Sequence, residues 1–364
     1  MRSDTLQNAV NSSLVCVQDR LPLSQEAGEM VCTSGHRYPI VSDIPVLLSV
    51  NRPQTSFWGE LSLKMAREEI SSEQAAHYRS MLREYTAHGI LRYVSCILAA
   101  TNGVAYRHLV ESGELREYPI PEIRLPKSNG ELMLDIGCNW GRWCIAGARK
   151  GYLPVGIDPS LESILAAQAV SRQLGIDAAF VVADGRLMPF SDSIFDVVWS
   201  YSVIQHFSPD DAVATISEVG RVLKPCGRSI IEMPNRFGLR CLYRQAQRRF
   251  RTPKDFEVRY WTIPSLLKLF LKRIGETTIS VDAYGSIGLQ VCDARFMPPL
   301  TRGVIAVSEL LRRASDHVGL LKYVADSVYL NSTKTGPVIV SAESRTAPPG
   351  ISLLGIDSRH DLQR

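Results

Sequence analysis

The chain has 364 residues, of which 45% are hydrophobic and 21% are charged. This composition excludes a chain disordered throughout, a collagen-like chain and a coiled-coil rod, and the length suggests roughly two domains. The net charge of +4 is too small to indicate nucleic-acid binding by itself. No apolar run approaches the roughly 20 residues of a membrane span, and no signal peptide is indicated at the N-terminus. Eight scattered cysteines predict reduced, mostly buried thiols and a cytoplasmic protein.

The first half of the chain divides into two units before the main domain. Residues 1–13 are polar and predict a loose end, and residues 14–48 contain short β-type runs separated by Gly, Asp and Ser turns. Residues 1–50 therefore predict a small β unit, which buries too little surface to stand alone and must dock or bind metal. Residues 51–126 predict a helical lead-in, because apolar residues recur at helical spacing, followed by a Pro-rich connector.

From Glu131 the pattern becomes an alternation of strands and helices, which predicts a parallel sheet with helices on both faces. The five predicted strands are Leu132–Asp135, Leu153–Ile157, Ala178–Val182, Ile194–Trp199 and Ser229–Met233. After a helix over Ile263–Ile274, further strands are predicted at Thr277–Val281 and Pro337–Ser341, with an insertion at about 284–333 between them. The domain would span 127–343, and 344–364 predict a disordered tail.

The turn after the first of these strands carries the main chemical signal, in the run Leu-Asp-Ile-Gly-Cys-Asn-Trp-Gly. Gly137 lets the backbone approach a ligand closely, and Gly141 permits tight packing of strand against helix. Asn139 is a residue type that tolerates the left-handed conformation. Such a loop presents backbone N–H groups at a helix N-terminus, although one glycine pattern alone is weak evidence for nucleotide binding.

The spacing of the next acidic residues strengthens the signal. Asp158 ends the second strand, 23 residues after Asp135. A carboxylate at that position is placed to accept both ribose hydroxyls of a nucleoside. Asp184 follows the third strand, where its carboxylate can accept an exocyclic amine hydrogen of adenine. The alternative for each acid is a helix cap or a solvated turn.

As an ordered set, the runs LDIGCNWG, GIDPS, ADGRLMPFSDSIFDVVWS, SVIQHF and EVGRVLKPCG resemble the class I S-adenosylmethionine-dependent methyltransferases. Within them they resemble the small-molecule group that includes the ubiquinone/menaquinone C-methyltransferases. The resemblance covers about residues 130–235. It implies a Rossmann-like α/β fold with a mostly parallel seven-stranded sheet, flanked here by the small β unit and helical lid elements.

The resemblance also implies a cofactor, S-adenosyl-L-methionine, and a set of contacts. The residues expected around it are Asp135, Gly137, Asn139 and Gly141 for the methionine side, Asp158 for the ribose, Asp184 and Gly185 for the adenine, and Ser200 and Tyr201 under the sulfonium. His206, after the fourth strand, is the candidate general base, because a neutral imidazole can take a proton near pH 7. Tyr201 and Glu232 are weaker options, and His206 can equally serve loop packing.

The N-terminal unit resembles a zinc ribbon that has lost part of its ligand set. The runs CVQD, CTSGHRYPI and DIPVLL are similar to the ribbon of the small activator protein of tRNA and protein methyltransferases, and the C-x3-H piece to that of ribosomal-RNA guanine methyltransferases. Asp19 and Gly35 stand where cysteines would be expected. A site made of Cys16, Asp19, Cys32 and His36 stays an alternative, but the expectation is a metal-free docking module.

A basic segment at about 236–252 follows the fifth strand. Arg240, Arg244 and Arg248 lie one helical turn apart, and the segment contains no acid. Such a helix suits a membrane surface, a phosphate-bearing acceptor or RNA, or it is a solvated face.

Three functions therefore stay open. The first is methylation of a small-molecule or lipid-linked acceptor, with peripheral membrane contact. The second is an RNA methyltransferase, which the sequence disfavours because it shows no aromatic-rich surface on which bases could stack. The third is a non-catalytic methyltransferase-like binding subunit. The sequence leaves the acceptor and the oligomeric state open.

Overall fold

The structure is a computed structural model, and it describes residues 3–54, 56–101, 105–285 and 288–336. The helices are α1 (Ser3–Asn11), α2 (Phe57–Ala66), α3 (Ser72–Met81), α4 (Arg92–Ala100), α5 (Arg107–Glu111), α6 (Arg142–Arg149), α7 (Leu161–Gln173), α8 (Pro209–Val222), α9 (Leu239–Gln247), α10 (Ile263–Arg273) and α11 (Pro299–Ser315). The strands are β1 (Leu23–Glu26), β2 (Glu29–Cys32), β3 (Arg37–Val41), β4 (Ile44–Leu47), β5 (Leu132–Ile136), β6 (Leu153–Asp158), β7 (Ala179–Ala183), β8 (Phe195–Ser200), β9 (Leu223–Pro234), β10 (Gly275–Ala283) and β11 (Ser327–Lys334).

Seven strands form the sheet of the main domain, in the order β7-β6-β5-β8-β9-β11-β10. The pairs from β7 to β9 are parallel, and β11 runs antiparallel to both of its neighbours. The middle strands are continuous apolar runs because helices cover both faces of the sheet. The predicted Rossmann-like fold with a mostly parallel seven-stranded sheet is confirmed.

The final strand lies in a different place from the one predicted. β11 occupies Ser327–Lys334, which overlaps the end of the segment at about 284–333 that the sequence assigned to an insertion and extends one residue past it. Its polar residues concealed it, because Asn331, Ser332 and Thr333 interrupt the apolar pattern that marks a buried strand. The predicted strand at Pro337–Ser341 and the predicted tail at 344–364 lie outside the described residues.

The N-terminal residues are helical rather than loose. Leu6 and Val10, one turn apart on α1, are buried against the main domain. The Gln7 side chain pairs with the backbone of Phe180 in β7, accepting from its N–H at 2.8 Å and donating to its carbonyl at 3.2 Å. Two apolar residues at i and i+4 are too weak a pattern to predict a helix, so tertiary contact decides this one.

The small β unit extends the main sheet. β1 to β4 form an antiparallel meander, and β4 adds to the edge of β7 in parallel, with Val46 opposite Val182. A second link is the ion pair from Arg20 to Glu218 at 2.8 Å. The unit thus docks on the main domain, as its small size requires.

The helical lead-in and the segment between β10 and β11 contact each other. The Tyr106 hydroxyl donates to Asp293 at 2.6 Å, and the backbone N–H of Glu122 donates to the Gln290 side chain at 3.0 Å. Both segments join one apolar cluster with Trp143 of α6 and Tyr329 of β11. Two segments distant in sequence therefore cover the same side of the main domain.

Candidate functional site

The predicted site residues converge at one edge of the sheet. Asp135, Asp158 and Ser200 stand at or next to the carboxyl ends of β5, β6 and β8, which are adjacent parallel strands. Open parallel sheets bind ligands at this edge, where the strand order reverses. Here the reversal falls at β5, between β6 and β8.

The loop from β5 to α6 has the backbone that its residue types predict. Gly137, Asn139 and Gly141 have φ values of 71°, 49° and 82°. A Cβ on Gly137 would lie 2.4 Å from a methyl carbon of Val203, and one on Gly141 would lie 3.1 Å from the Cβ of Ala167 in α7. Gly137 therefore allows close approach of the segment after β8, and Gly141 allows close packing of the two helices.

The amides of this loop are used within the protein. The N–H groups of Gly137 and Cys138 both donate to the Ile157 carbonyl, at 2.8 and 3.0 Å. The Asn139 N–H donates to the Asp158 carboxylate, and the Trp140 N–H donates to the Asn139 side chain at 2.7 Å. The expectation that these N–H groups face a ligand is therefore wrong for this conformation; they fasten the loop to β6 instead.

Asp135 is a buried acid with spare hydrogen-bonding capacity. The Cys144 thiol donates to its Oδ2 at 3.4 Å, and Oδ1 has no hydrogen-bond partner among the described residues. Burial raises the pKa of Asp135 to about 7, and the charge of Asp158 adds to the effect. A buried carboxylate oxygen that has no hydrogen-bond donor destabilises the folded protein. Its presence therefore fits a site in which a bound ligand supplies the missing donor.

Asp158 is held by two backbone donors. The Asn139 N–H donates to its Oδ2 at 3.0 Å, and the Ser160 N–H donates to its Oδ1 at 2.9 Å. Burial raises its pKa to about 6, and these two donors lower it in part. Each oxygen keeps a second lone pair, so the carboxylate retains the capacity to accept two hydroxyl groups.

Asp184 is more engaged than predicted. The Arg186 guanidinium donates to both carboxylate oxygens, the closest contact being 2.6 Å, and the Arg186 N–H donates to Oδ1 at 2.8 Å. An adenine amine would have to compete with Arg186 for this carboxylate. The neighbouring Gly185 lies against Ile136 and Thr215, where a Cβ would approach methyl carbons at 3.3 Å.

Ser200 and Tyr201 end β8 in different roles. The Ser200 hydroxyl donates to the Ile136 carbonyl at 3.1 Å and is buried, so it ties β8 to β5. The Tyr201 hydroxyl donates to Asp282 at 2.9 Å, and its ring lies 4.8 Å from that of Trp143. Burial, with the charge of Asp282, raises the pKa of Tyr201 well above its usual value, so the hydroxyl stays protonated.

His206 lies in the short turn Ile204–His206 after β8. Its Nδ1 donates to the Phe256 carbonyl at 2.6 Å, and its ring stacks on the Phe256 ring at 4.0 Å. Burial lowers the pKa of the imidazole. The ring is therefore neutral at pH 7 with the lone pair on Nε2, the protonation state that a general base requires. This nitrogen accepts from the Gln205 amide at 3.3 Å, which an acceptor's proton would have to displace. The same contacts serve loop packing.

Glu232, near the end of β9, forms a buried acidic pair with Asp282 of β10. Its Oε2 accepts from the Ser202 N–H at 2.9 Å. Burial and the charge of Asp282 raise the pKa of Glu232 to about 8. Asp282 in turn accepts from Tyr201 and from Ser327, the latter at 2.8 Å. The pair lies on β9 and β10, and these hydrogen bonds connect it to the end of β8 and to the start of β11.

Arg142, the first residue of α6, was not among the predicted site residues but lies at the same place. Its charge lowers the pKa of Asp135, which places it within electrostatic reach of that carboxylate. Its Nε is buried without a hydrogen-bond partner among the described residues, and the guanidinium carbon lies 5.3 Å from the Trp143 ring centre. The signal was present: an arginine directly after the Gly-containing loop is a cation at the mouth of the predicted site.

Four candidate metal ligands of the N-terminal unit also come together. Cys16, Asp19, Cys32 and His36 each bring one ligand atom into a group whose members all lie within 4.8 Å of one another. The cysteines are buried, and the other two residues are half-buried. The four residues therefore form one cluster of potential ligand atoms.

The basic segment forms a helix over Leu239–Gln247, shorter than the predicted 236–252, and one of its arginines does not face outward. The Arg248 guanidinium lies 3.7 Å from the Glu257 carboxylate and 5.2 Å from the ring centre of Tyr260. Around the helix, Leu239, Tyr243 and Phe250 are more than 60% exposed. The surface therefore combines basic and apolar side chains.

The comparisons with known proteins agree with this geometry. Residues 133–227 match the family described as a methyltransferase domain. The chain carries a class I methyltransferase fold. This family implies the use of S-adenosylmethionine. The matched residues extend from β5 into β9 and so contain the candidate cofactor site.

Two curated relatives and one solved structure illustrate the similarity. The chain is 33% identical over 126 residues to the methyltransferase GfsG of Streptomyces halstedii, covering 34% of this chain and 44% of that protein. It is 28% identical over 190 residues to an uncharacterized methyltransferase of Synechocystis, covering 50% and 84%. The YcgJ protein of Bacillus subtilis aligns over 58% of this chain and 94% of its own, with 19% identity and a TM-score of 0.38. The likeness to the ubiquinone/menaquinone group and to a zinc ribbon stays a prediction.

Within the described residues, no helix has both the length and the apolar character needed to cross a membrane.

Proposed function

We propose that this protein transfers a methyl group from S-adenosylmethionine to a small, largely apolar acceptor. The observation that carries the proposal is the meeting of Asp135, Asp158 and the loop around Asn139 at the carboxyl edge of the sheet. Buried acids with unused acceptor capacity at the point where the strand order reverses are the arrangement that a nucleoside ligand requires.

The residues present fit the cofactor. Asp158 would accept from the ribose hydroxyls, and the free Oδ1 of Asp135 would accept from the methionine ammonium. Arg142 would pair with the methionine carboxylate, because its Nε has no hydrogen-bond partner among the described residues. Arg142 and Asp135 interact electrostatically and carry opposite charges, as do the carboxylate and the ammonium group of the methionine moiety that they would bind. When bound, the cofactor supplies an electrophilic methyl group on a positively charged sulfur.

An aromatic group beside the site supports an apolar acceptor. The rings of Trp143 and Trp199 lie 4.9 Å apart, and Tyr329 lies 5.5 Å from Trp199. These rings share one apolar cluster with the lead-in and with residues of α11 and of the turn before it. Such a covering excludes water and holds a small acceptor in line, and alignment supplies much of the acceleration of a group transfer.

Two groups are candidates for removing a proton from the acceptor. His206 has its lone pair on Nε2 and a lowered pKa, so it is basic but uncharged at pH 7. Glu232 accepts from the Ser202 N–H and has a raised pKa, so it is ionised and able to take a proton only above about pH 8. We favour His206, because the ionised form of Glu232 must also overcome the charge of Asp282.

The surface of α9 supports a lipid-linked acceptor reached at a membrane surface. Exposed Leu239 and Tyr243 stand among exposed Arg236 and Arg244. A helix with basic and apolar side chains on its exposed side binds the interface of an anionic bilayer without spanning it.

Transfer of labelled methyl groups tests the proposal. The purified protein is incubated with S-adenosylmethionine carrying a tritiated methyl group and with three separate fractions of a cell extract: small metabolites, lipids and RNA. We expect label in the metabolite or lipid fraction with wild type and none with Asp158→Ala. Label confined to RNA would contradict the acceptor class. Tight cofactor binding without label in any fraction would indicate a non-catalytic subunit and would contradict the proposed activity.

A further inference from the structure

We propose that Cys16, Asp19, Cys32 and His36 bind one zinc ion that fastens the N-terminal β unit to the main domain. The ligand atoms are the two Sγ atoms, the Asp19 Oδ2 and the His36 Nδ1. Nδ1 lies 3.5 Å from the sulfur of Cys16, 3.4 Å from that of Cys32 and 3.0 Å from Oδ2, and the Cys32 sulfur lies 3.6 Å from Oδ2. This site replaces the metal-free interpretation of the sequence.

These distances are those of the edges of a small tetrahedron. Zinc binds sulfur at about 2.3 Å and nitrogen or carboxylate oxygen at about 2.0–2.2 Å, so tetrahedral ligands lie roughly 3.3–3.8 Å apart. Three of the four measured edges fall within that range, and the fourth is 0.3 Å shorter than its lower end. Two sulfurs, one imidazole and one carboxylate in tetrahedral arrangement favour zinc over calcium or magnesium, which take more oxygen ligands.

Two tight turns deliver the ligands in pairs. In the first turn the Arg20 N–H donates to the Cys16 carbonyl at 2.9 Å, and Arg20 has a φ of 65°. In the second, the Gly35 N–H donates to the Cys32 carbonyl at 2.9 Å, and Gly35 has a φ of 83°. Each turn reverses the chain so that the residue three or four positions later faces the preceding cysteine.

Two further polar groups lie within hydrogen-bonding distance of the Cys16 sulfur, as is usual around metal-bound thiolates. The Gln18 N–H donates to the Cys16 sulfur at 3.4 Å, and the buried Tyr38 hydroxyl lies 3.1 Å from the same atom. Both are suited to stabilise a metal-bound thiolate. All four ligand atoms lie within 4.8 Å of one another, which is close enough for one ion to bind them together.

The position of the site indicates what the metal does. Arg20, in the first turn, donates to the Met188 carbonyl at 2.7 Å and pairs with Glu218 of α8. The Val15 N–H, next to Cys16, donates to the Pro189 carbonyl at 3.0 Å. The metal would therefore order the turn that contacts the loop after β7. Small β units with little core commonly depend on such a metal.

Metal content and cobalt substitution test the site on the full chain. Protein produced with zinc supplementation should retain about one zinc per chain after dialysis. Asp19→Ala and Cys32→Ser should lose it, whereas Asp19→Cys should keep it. Cys96→Ser and Cys226→Ser are controls, because both thiols are exposed and lie elsewhere. Tyr38→Phe should weaken zinc affinity by about 10-fold, the lower limit for loss of a supporting hydrogen bond.

Cobalt gives a readout that does not depend on whether the ligand variants fold. Wild-type protein reconstituted with Co²⁺ should show thiolate-to-metal charge-transfer bands and the intense visible bands of a tetrahedral ion. Folded wild-type protein with substoichiometric zinc and without these cobalt bands would overturn the proposal. Equal zinc content in wild type and Cys32→Ser would also overturn it. Neither result bears on the proposed methyl transfer, which is measured separately.

Discussion

The backbone N–H of Asn139 donates to Oδ2 of Asp158 at 3.0 Å, across the gap between the loop after β5 and the end of β6. Asn139 reaches this position with a φ of 49°, and its own side chain accepts from the next N–H. The loop thereby sets the orientation of the carboxylate. Any ligand held by Asp158 is consequently sensitive to the conformation of the loop.

The raised pKa of Asp158 predicts that cofactor affinity depends on pH. Burial raises this pKa to about 6, so the carboxylate is protonated below pH 6 and ionised above it. The ionised form accepts two hydroxyl hydrogens, and the protonated form loses part of that capacity. Affinity for S-adenosylhomocysteine should therefore fall as the pH drops from 7 to 5, by up to about 10-fold per unit below the pKa.

Calorimetry across this pH range checks the prediction, with Asp158→Asn as the control. The variant should bind more weakly at pH 7 and show a shallower profile, because its amide does not titrate. Asp135, whose pKa burial raises to about 7, contributes the remaining slope. A wild-type profile that is flat between pH 5 and pH 8 would contradict the assignment of both acids.

Arg142→Gln should weaken cofactor affinity by about 10-fold or more without changing the fold. The reason is the loss of a charge-assisted hydrogen bond to the methionine carboxylate, which contributes about 1.5–3 kcal/mol. Arg149→Gln is the matched control, since Arg149 lies at the exposed end of the same helix. The comparison is made by titration of S-adenosylhomocysteine into both variants. If the two substitutions have the same effect, Arg142 does not contact the cofactor.

The pH dependence of methyl transfer distinguishes the two candidate bases once an acceptor has been labelled. A base must be deprotonated, so the rate rises with pH through its pKa and then levels off. With His206 as the base, the rate levels off near or below pH 6.5, because burial lowers its pKa. With Glu232, it continues to rise to about pH 8.

Substitution provides a second way to determine which of His206 and Glu232 is the general base. His206→Gln should lower kcat by about 100-fold or more and leave KM for the cofactor unchanged. Glu232→Gln, which preserves the shape of a carboxyl group that is mostly protonated at pH 7, should reduce activity far less. The reverse ranking would assign the proton transfer to Glu232 and leave His206 as a packing residue against Phe256.

The exposed side of α9 predicts binding to anionic vesicles. The sequence singled out Arg240, Arg244 and Arg248, but Arg248 contacts Glu257 and Tyr260, so Arg236 replaces it in the test. Changing Arg236, Arg240 and Arg244 to Gln should cost up to about 3 kcal/mol of vesicle binding, at about 1 kcal/mol per charge. Added salt should reduce the difference, because exposed charges are screened within about 8 Å.

Co-sedimentation with phosphatidylglycerol vesicles measures this binding. The matched control changes Arg67, Arg79 and Arg83, which are exposed on the helical lead-in. The same change in net charge is then made at a different place. If both triple variants lose the same amount of vesicle binding, the effect depends only on net charge. That result would contradict a membrane-binding role for α9.

The sequence predicted the parts of the fold that local pattern decides. Continuous apolar runs marked β5 to β9, and residue types such as Gly137 and Asn139 marked a left-handed turn, because these preferences act within a few residues. α1 and β11 were not predicted, because their formation depends on contacts with residues distant in the sequence. Leu6 packs only once the main domain exists, and the polar side chains of β11 are tolerated because the strand pairs on both sides.

The candidate site shows the same division. Asp135 and Asp158 were placed correctly at the strand ends, since spacing along the chain fixes the ends of adjacent parallel strands. The engagement of Asp184 by Arg186 was not predictable, because Asp184 is two residues from its partner in a turn whose geometry the sequence does not define. The clustering of Asp19 with three other ligands likewise depends on two separate turns meeting in space.

Calorimetric titration of S-adenosylhomocysteine into wild type and Asp158→Ala at pH 7.5 tests the central claim most directly. We expect saturable binding of one ligand per chain to wild type. In the variant we expect a loss of about 1.5–3 kcal/mol, equivalent to roughly 10- to 150-fold, measured at a temperature where the variant is folded. The variant should also unfold at a lower temperature, because the N–H groups of Asn139 and Ser160 lose their acceptor. Absence of binding to wild type, or equal affinity in the two proteins, would contradict the assignment of the carboxyl edge of the sheet as a cofactor site.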